Sequence, residues 1–238
     1  MKFFNLDSPL MKFLTKMTDV LWINILTLIL CIPIVTAGAA FTAMHYVCLK
    51  MVRDEDGYIT KEYFKSFKQN FKQATIIWVG AVLVILFIIF DLWCLQSMEN
   101  PTIIFASLCA VSIFLFCTLL YVFPVLSHFE NTIKGTVKNS FFMSILALPR
   151  TILMIVLNLL PITLIYLVER FETMFWIMPL CFLFWFSAPA YFCAKLYDKT
   201  FKKFEPEDAK KENDDFTWTV GGTEEESENT DGVEKTEE

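Results

Sequence analysis

Long stretches without a charged side chain are the feature of this sequence that most limits its fold. A helix needs about 20 predominantly apolar residues to cross the hydrocarbon core of a bilayer. Five runs are close to or beyond that length: Val20–Leu49, Gln73–Phe90, Thr102–Ser127, Thr151–Val168 and Thr173–Ala194. Hydrophobic residues make up 55% of the chain, above the share of about 45–50% that is usual for soluble domains. The sequence therefore predicts an all-α, polytopic membrane helical bundle.

Proline, glycine and short polar turns divide these runs into separate membrane segments. Pro33 and Gly38 interrupt the first run, because proline lacks a backbone donor and glycine relaxes the backbone. Six segments result if the chain forms a hairpin at this point, and five if the first two segments are one broken helix. The predicted segments are about 20–33, 38–52, 74–95, 102–126, 150–168 and 173–194.

The stretch RDEDGYITKEYFKSFKQNFKQ, residues 53–73, is the polar segment with the clearest pattern. Its lysines and its phenylalanines each recur at helical spacing, so a helix over 61–73 places them in two adjoining stripes. Such a helix suits the boundary between acyl chains and anionic headgroups, and an amphipathic connector packed on the protein itself is the alternative. The residues predicted to contact the membrane surface or a partner are Lys61, Tyr63, Phe64, Lys65, Phe67, Lys68, Phe71 and Lys72.

The distribution of lysine and arginine predicts the orientation of the segments. Basic side chains gather in the loop 53–73, in the loop 127–139 and after residue 194, whereas the short turns 97–101 and 169–172 together hold only Arg170. Because loops rich in Lys and Arg stay on the cytoplasmic side, we expect these basic loops and the C-terminus to be cytoplasmic. The side of the N-terminus stays open, since a hairpin at the first segment keeps it inside and a single broken crossing places it outside.

Residues 205–238 form a separate acidic tail. This segment holds 14 acidic and 3 basic side chains, whereas the other 204 residues hold 12 acidic and 17 basic ones. A segment with this charge and so little apolar content cannot bury enough surface to fold alone. We therefore expect residues 1–204 to be the membrane domain and residues 205–238 to be a disordered cytoplasmic tail.

Polar side chains within membrane segments are the positions at which a function is expected, because they are costly in lipid. Asn24, Asp91 and Asn158 are the candidates. Either Asn24 and Asn158 bond neighbouring helices together and Asp91 lies at the outer interface, or the three line a path for a solute. The seven cysteines show no metal-ligand spacing, and the motifs HExxH, GxSxG and GxxxxGK[ST] do not occur. We expect no catalysis, no metal and no other cofactor, and we expect no binding of nucleic acid because the lysines lie against the lipid bilayer.

Three stretches of the chain resemble the YesL family, a group of small integral membrane proteins of Gram-positive bacteria that is classed as a domain of unknown function. The first and most specific is NILTLILCIPIVTAGAAFTAMHYVCLKMVRDEDGYITKEYFKSFKQNFKQA, residues 24–74. The stretches YVFPVLSHFENTIKGTVKNSF and LPRTILMIVLNLLP are similar to the second half of the family pattern. The resemblance covers about residues 5–200 and leaves out the acidic tail.

This resemblance implies a role beside carbohydrate uptake, since members of the family are often encoded next to sugar permeases, their binding proteins and glycoside hydrolases. It supplies no catalytic residue and no ligand for any position of this chain. The first functional hypothesis is an accessory membrane protein that works with an ABC-type permease, or with its ATPase, in the uptake of an oligosaccharide. A self-contained transporter or channel for small solutes is the alternative, with Asn24, Asp91 and Asn158 lining the path.

Overall fold

The computed structural model describes residues 9–55, 57–95, 102–170 and 183–203. All regular elements within these ranges are helices, which confirms the predicted all-α fold. In chain order they are α1 (Pro9–Cys31), a short 3₁₀ turn (Ile34–Thr36), α2 (Ala37–Val52), α3 (Ile59–Leu95), α4 (Thr102–His128), α5 (Ile133–Leu146), α6 (Leu148–Arg170) and α7 (Ser187–Phe201). The chain divides into two units at Asp198, and the contacts below all lie within the first. The predicted tail, 205–238, lies outside the described residues.

Four of the described helical stretches are long and apolar enough to cross a membrane, as the polytopic prediction requires. They are Leu10–Cys31, Ile34–Val52, Ile59–Leu95 and Thr102–His128. The pair α5–α6, bent by 100°, adds a fifth if it counts as one broken span. Much of the last predicted segment, 173–194, lies outside the described residues.

Helices α3 and α4 expose large apolar side chains over much of their length. Leu83, Phe87 and Trp93 of α3 are each more than 60% exposed, and Ile103 of α4 is 85% exposed. A protein in water rarely leaves a continuous apolar surface of this extent uncovered. The exposed surface of these two helices is therefore of the kind that lipid covers.

The predicted interfacial helix 61–73 and the predicted segment 74–95 are parts of one helix, α3. It runs without a break for 37 residues, which corresponds to about 55 Å at the usual rise per residue. Residues 59–95 contain no proline, and their one glycine is Gly80. Nothing therefore interrupts the backbone hydrogen bonds where the two parts meet. A hydrocarbon core is about 30 Å thick, and one part of α3 must therefore extend beyond it.

Helix α5 is absent from the predicted segments, because residues 127–139 read as a polar loop. The structure places a helix over most of that stretch, beginning after Thr132, whose hydroxyl accepts a hydrogen bond from the Gly135 amide at 3.2 Å. The Ser140 and Ser144 hydroxyls donate to backbone carbonyls of their own helix and are buried. Thr132 thus caps α5, and Ser140 and Ser144 lie on the buried face of that helix.

The first two predicted segments form a hairpin, which is one of the two arrangements that the sequence left open. The Lys16 ammonium near the start of α1 donates to the Asp54 carboxylate, just after the end of α2, at 2.6 Å. Ion pairing between these positions requires α1 and α2 to run in opposite directions. At the closed end of the hairpin, the Trp78 indole of α3 donates to the Ile34 carbonyl at 2.7 Å.

Helices α2, α3 and α4 meet in a small core beside the hairpin turn. Small side chains in this region let the helix backbones approach closely, as is common between membrane helices. The buried residues of this cluster are Ala39, Ala74, Ile77, Val122 and Leu126, with Phe67 and Ile133 packed against them.

Candidate functional site

Tyr63 lies inside the protein, although the lysine and aromatic pattern placed it on a contact surface. Its side chain is fully buried, its hydroxyl donates to the Ala40 carbonyl at 3.0 Å, and it shares a hydrogen bond of 3.0 Å with the Thr27 hydroxyl. One phenol therefore joins α1, α2 and α3. The prediction that Tyr63 contacts a membrane surface or a partner is wrong, because the α1–α2 hairpin packs on that side of α3.

Removing this hydroxyl tests the anchoring role. We expect Tyr63→Phe to lower the free energy of unfolding by about 1–2 kcal/mol, since two buried hydrogen bonds are lost while the ring is kept. Tyr58→Phe is the matched control, because Tyr58 is 85% exposed and its change should stay within about 0.5 kcal/mol. Unfolding in mixed micelles with increasing denaturing detergent measures both. Equal effects of the two changes would contradict the anchoring role.

The rest of the predicted contact set remains on the surface of α3, with one exception. Phe67 is half-buried and packs against the core cluster. Glu62, between the stripes, turns toward α2, where its carboxylate accepts from Lys50 at 2.9 Å and from Tyr46 at 3.4 Å. The exposed residues, called the α3 face below, are Lys61, Phe64, Lys65, Lys68, Phe71 and Lys72.

Asn24 bonds two helices together. Its side-chain oxygen accepts from the backbone amides of Phe186 and Ser187 at 3.1 and 3.3 Å. These amides lie at the start of α7, where the first N–H groups have no partner within the helix. The Ser187 hydroxyl in turn donates to the Val20 carbonyl at 2.8 Å. Asn24, on α1, therefore caps α7. Of its two predicted roles, the geometry supports the one in which it bonds helices together.

Asn158 and Asp91 have different surroundings. The Asn158 amide donates to the Met154 carbonyl at 2.8 Å and contacts the Cys193 thiol at 3.4 Å. It lines a cavity of about 350 Å³ together with His45 and several aromatic rings. Asp91 lies near the end of α3 and does not line this cavity. Among the described residues, no hydrogen bond joins any two of the three predicted positions, so the structure does not assemble them into one site.

An ion pair between Arg53 and Asp198 is a feature that sequence analysis missed. The Arg53 Nε donates to the Asp198 carboxylate at 2.7 Å, and only 12% and 9% of the two side chains are exposed. The residues are 145 positions apart, and no local pattern marks either of them. The hydroxyl of Tyr197, the residue before Asp198, lies 3.4 Å from the His45 ring nitrogen of α2. These contacts fix the end of α2 to α7.

Asp54, the next residue in the loop after α2, pairs with Lys16 of α1. Its φ of 56° puts it in the left-handed region, which is the usual conformation just after a helix end and one that aspartate tolerates. Hydrogen bonding and charge from the Lys16 ammonium hold the pKa of the Asp54 carboxyl below its usual value. The loop after α2 is thus held to α1 by Asp54 and to α7 by Arg53.

The described ranges contain no group of three His, Cys, Asp or Glu side chains arranged to hold a metal. Several polar groups there instead join helices, among them the Tyr63 hydroxyl, the Asn24 amide and the Arg53–Asp198 pair. The described part also has a basic, aromatic face on α3 and a partly open cavity of about 350 Å³. Together with its exposed apolar helices, this fold is that of a polytopic helical membrane protein.

Comparison with known proteins found two matches, each of which covers less than half of the chain. The model of a family described as a protein of unknown function, DUF624, matches residues 17–92. The chain is also 30% identical over 89 residues to the uncharacterized protein YesL of Bacillus subtilis (strain 168), and the alignment covers 37% of this chain and 42% of that relative. No solved structure matches. Both matches support the resemblance to the YesL family over the part of the chain that they cover.

Proposed function

We propose that this protein resides in the cell membrane, with its basic loops and C-terminus in the cytoplasm, and acts as an accessory component of carbohydrate uptake without catalysis of its own. Its partner would be an ABC-type permease or the ATPase of that permease. The carbohydrate part of the proposal is supported by the family resemblance, and the cytoplasmic orientation is supported by the lysine distribution.

The observation that carries the proposal is the α3 face. Four lysines and two phenylalanines are exposed there on one rigid helix. Tyr63 and Ser66, on the opposite side, are buried against the protein, so the orientation of the face is fixed before any partner arrives. Exposed aromatic side chains on a preorganised helix are typical anchors of protein interfaces, and the lysines suit an acidic partner surface.

Crosslinking in native membranes tests the contact. We expect a photoreactive amino acid at Phe64 or Phe71 to form adducts with a permease subunit or its ATPase, because both side chains project from the α3 face. Phe142 on α5 is the matched control, since it is also an exposed phenylalanine on a helix, and its adducts should lack those subunits. The exposed fractions are 38% for Phe64, 39% for Phe71 and 50% for Phe142.

Two outcomes would overturn the proposal in different ways. Adducts with the same proteins from Phe142 as from Phe64 would show that the α3 face is not a specific contact. Normal uptake of every oligosaccharide by a strain that lacks this protein would remove the carbohydrate role, even if crosslinks to another membrane protein formed.

The cavity of about 350 Å³ favours a second candidate function, which is a self-contained transporter for a small solute. Its wall combines apolar and aromatic side chains with the His45 ring, the Asn158 amide and the Cys193 thiol, a mixture that small-molecule sites use. Liposomes that contain this protein alone distinguish the two functions. Flux of a labelled sugar into such liposomes would favour transport, whereas the accessory function expects none.

A further inference from the structure

A second and larger concave region lies between the first half of α1 and helix α7. It is a groove of about 700 Å³, separate from the α3 face and from the cavity around Asn158. Phe13 and Met17 of α1 line it on one side, and Phe184 and Phe192 line it on the other. Phe13 is 61% exposed and Phe192 is 51% exposed, so the groove offers apolar surface that no described part of the chain covers.

Three lysines also line this groove. Lys12, Lys16 and Lys195 all line the groove, as do Asp19 and Asp54, so basic side chains outnumber acidic ones. Lys16 is paired with Asp54 at 2.6 Å. Lys12 and Lys195 form no ion pair with a residue of the described ranges.

Lys195 is held over the groove by neighbouring rings. Its ammonium lies 4.9 Å from the centre of the Tyr191 ring and 5.9 Å from that of Phe192. Cation–π contacts of this kind fix the position of an ammonium without neutralising its charge. Lys195 therefore stays available to an anion, with an apolar ring directly beside it.

The position of the groove matches the boundary of a bilayer. Lys12 and Lys16 lie in the first two turns of α1, at the open end of the α1–α2 hairpin, where the loop after α2 also lies. Its apolar side chains continue along α1 toward Val20, within the candidate span Leu10–Cys31. A molecule in the groove would thus meet positive charge at one end and an apolar wall along the rest.

We propose that this groove binds an anionic phospholipid, with the headgroup phosphate between Lys12 and Lys195 and an acyl chain along Phe13, Met17 and Phe184. Charge complementarity selects a lipid with net negative charge over a zwitterionic one. The apolar lining selects a lipid over a free phosphate ion, which would leave that surface exposed. The lipid joins α1 to α7 at the end of the protein that carries the Arg53–Asp198 ion pair.

The test is a titration of the purified full-length chain with phosphatidylglycerol in a neutral detergent, followed by native mass spectrometry. We expect Lys12→Gln combined with Lys195→Gln to weaken binding of the tightest lipid by about 25-fold, because each lysine near an anionic surface contributes a factor of about five. Lys134→Gln combined with Lys138→Gln is the matched control, since Lys138 also lies over an aromatic ring, that of Phe142. This control should change binding less than about twofold.

A second variant addresses the apolar part of the groove without altering charge. This variant is Ala188→Phe, and Ala188 lines the groove. We expect the added ring to exclude the acyl chain and to lower affinity for phosphatidylglycerol, while the circular dichroism spectrum stays unchanged.

Equal weakening by the two lysine double variants would overturn the proposal. So would binding of phosphatidylcholine as tightly as phosphatidylglycerol, or full competition by inorganic phosphate. None of these results bears on crosslinking from the α3 face.

Discussion

Replacing Arg53 by Met will lower the free energy of unfolding by about 3–5 kcal/mol, because it removes a short ionic contact from a largely buried Asp198 carboxylate. The wild-type pair has a short contact of 2.7 Å and side chains that are only 12% and 9% exposed. Water therefore cannot replace the lost guanidinium at this position. Unfolding in mixed micelles, followed by circular dichroism, measures the change.

The double variant separates loss of the ion pair from loss of packing. Arg53→Met combined with Asp198→Leu removes both charges. We expect this double variant to be more stable than either single variant, because two apolar side chains leave no charge buried without an opposite charge beside it. If the double variant lost as much stability as the two single variants together, the two side chains would act independently. The ion pair would then not join the end of α2 to α7.

A matched ion pair on the same loop supplies the control. Lys16 and Asp54 are joined at 2.6 Å, but their side chains are 37% and 78% exposed. Solvent screens an exposed pair, and its usual contribution is below about 1 kcal/mol. Lys16→Met should therefore change stability much less than Arg53→Met, even though each removes one positive charge from the same end of the hairpin.

The parts of the fold that sequence analysis predicted are those that a local pattern determines. Helix α4 and the apolar half of α3 follow from uninterrupted hydrophobic runs, because a lipid-facing helix needs only length and hydropathy. The hairpin of α1 and α2 followed only as one of two alternatives, since Pro33 and Gly38 mark a break but do not determine the direction of the chain beyond it.

The parts that sequence analysis could not predict depend on packing between distant segments. Tyr63 and Phe64 are both aromatic and adjacent on the same amphipathic helix, and only the position of the α1–α2 hairpin decides that one is buried and the other exposed. The Arg53–Asp198 pair and the cap that Asn24 provides for α7 join residues more than 140 positions apart. Such contacts leave no periodic signal in a single sequence.

The second large effect on stability is expected at Gly38, where α2 lies close to the backbone of α3. We expect Gly38→Ala to destabilise the protein by about 2 kcal/mol and Gly38→Leu to destabilise it further, because overpacking a tight helix contact forces backbone shifts. A Cβ atom added at Gly38 would lie 2.5 Å from the Trp78 Cβ and 2.7 Å from the Ala74 carbonyl oxygen. Both atoms are part of or next to the α3 backbone, so a simple rotation of a side chain cannot relieve the contact.

Gly80, on the same helix as Trp78, provides the control. A Cβ added there meets nothing within 4 Å, and Gly→Ala within a helix is otherwise favourable by up to about 1 kcal/mol. Gly80→Ala should therefore leave stability unchanged or raise it, while Gly38→Ala lowers it. The same comparison tests the packing of α2 against α3, since separation of the two helices would also weaken the Trp78–Ile34 hydrogen bond. If Gly38→Ala were as stable as Gly80→Ala, helices α2 and α3 would not approach each other at this position.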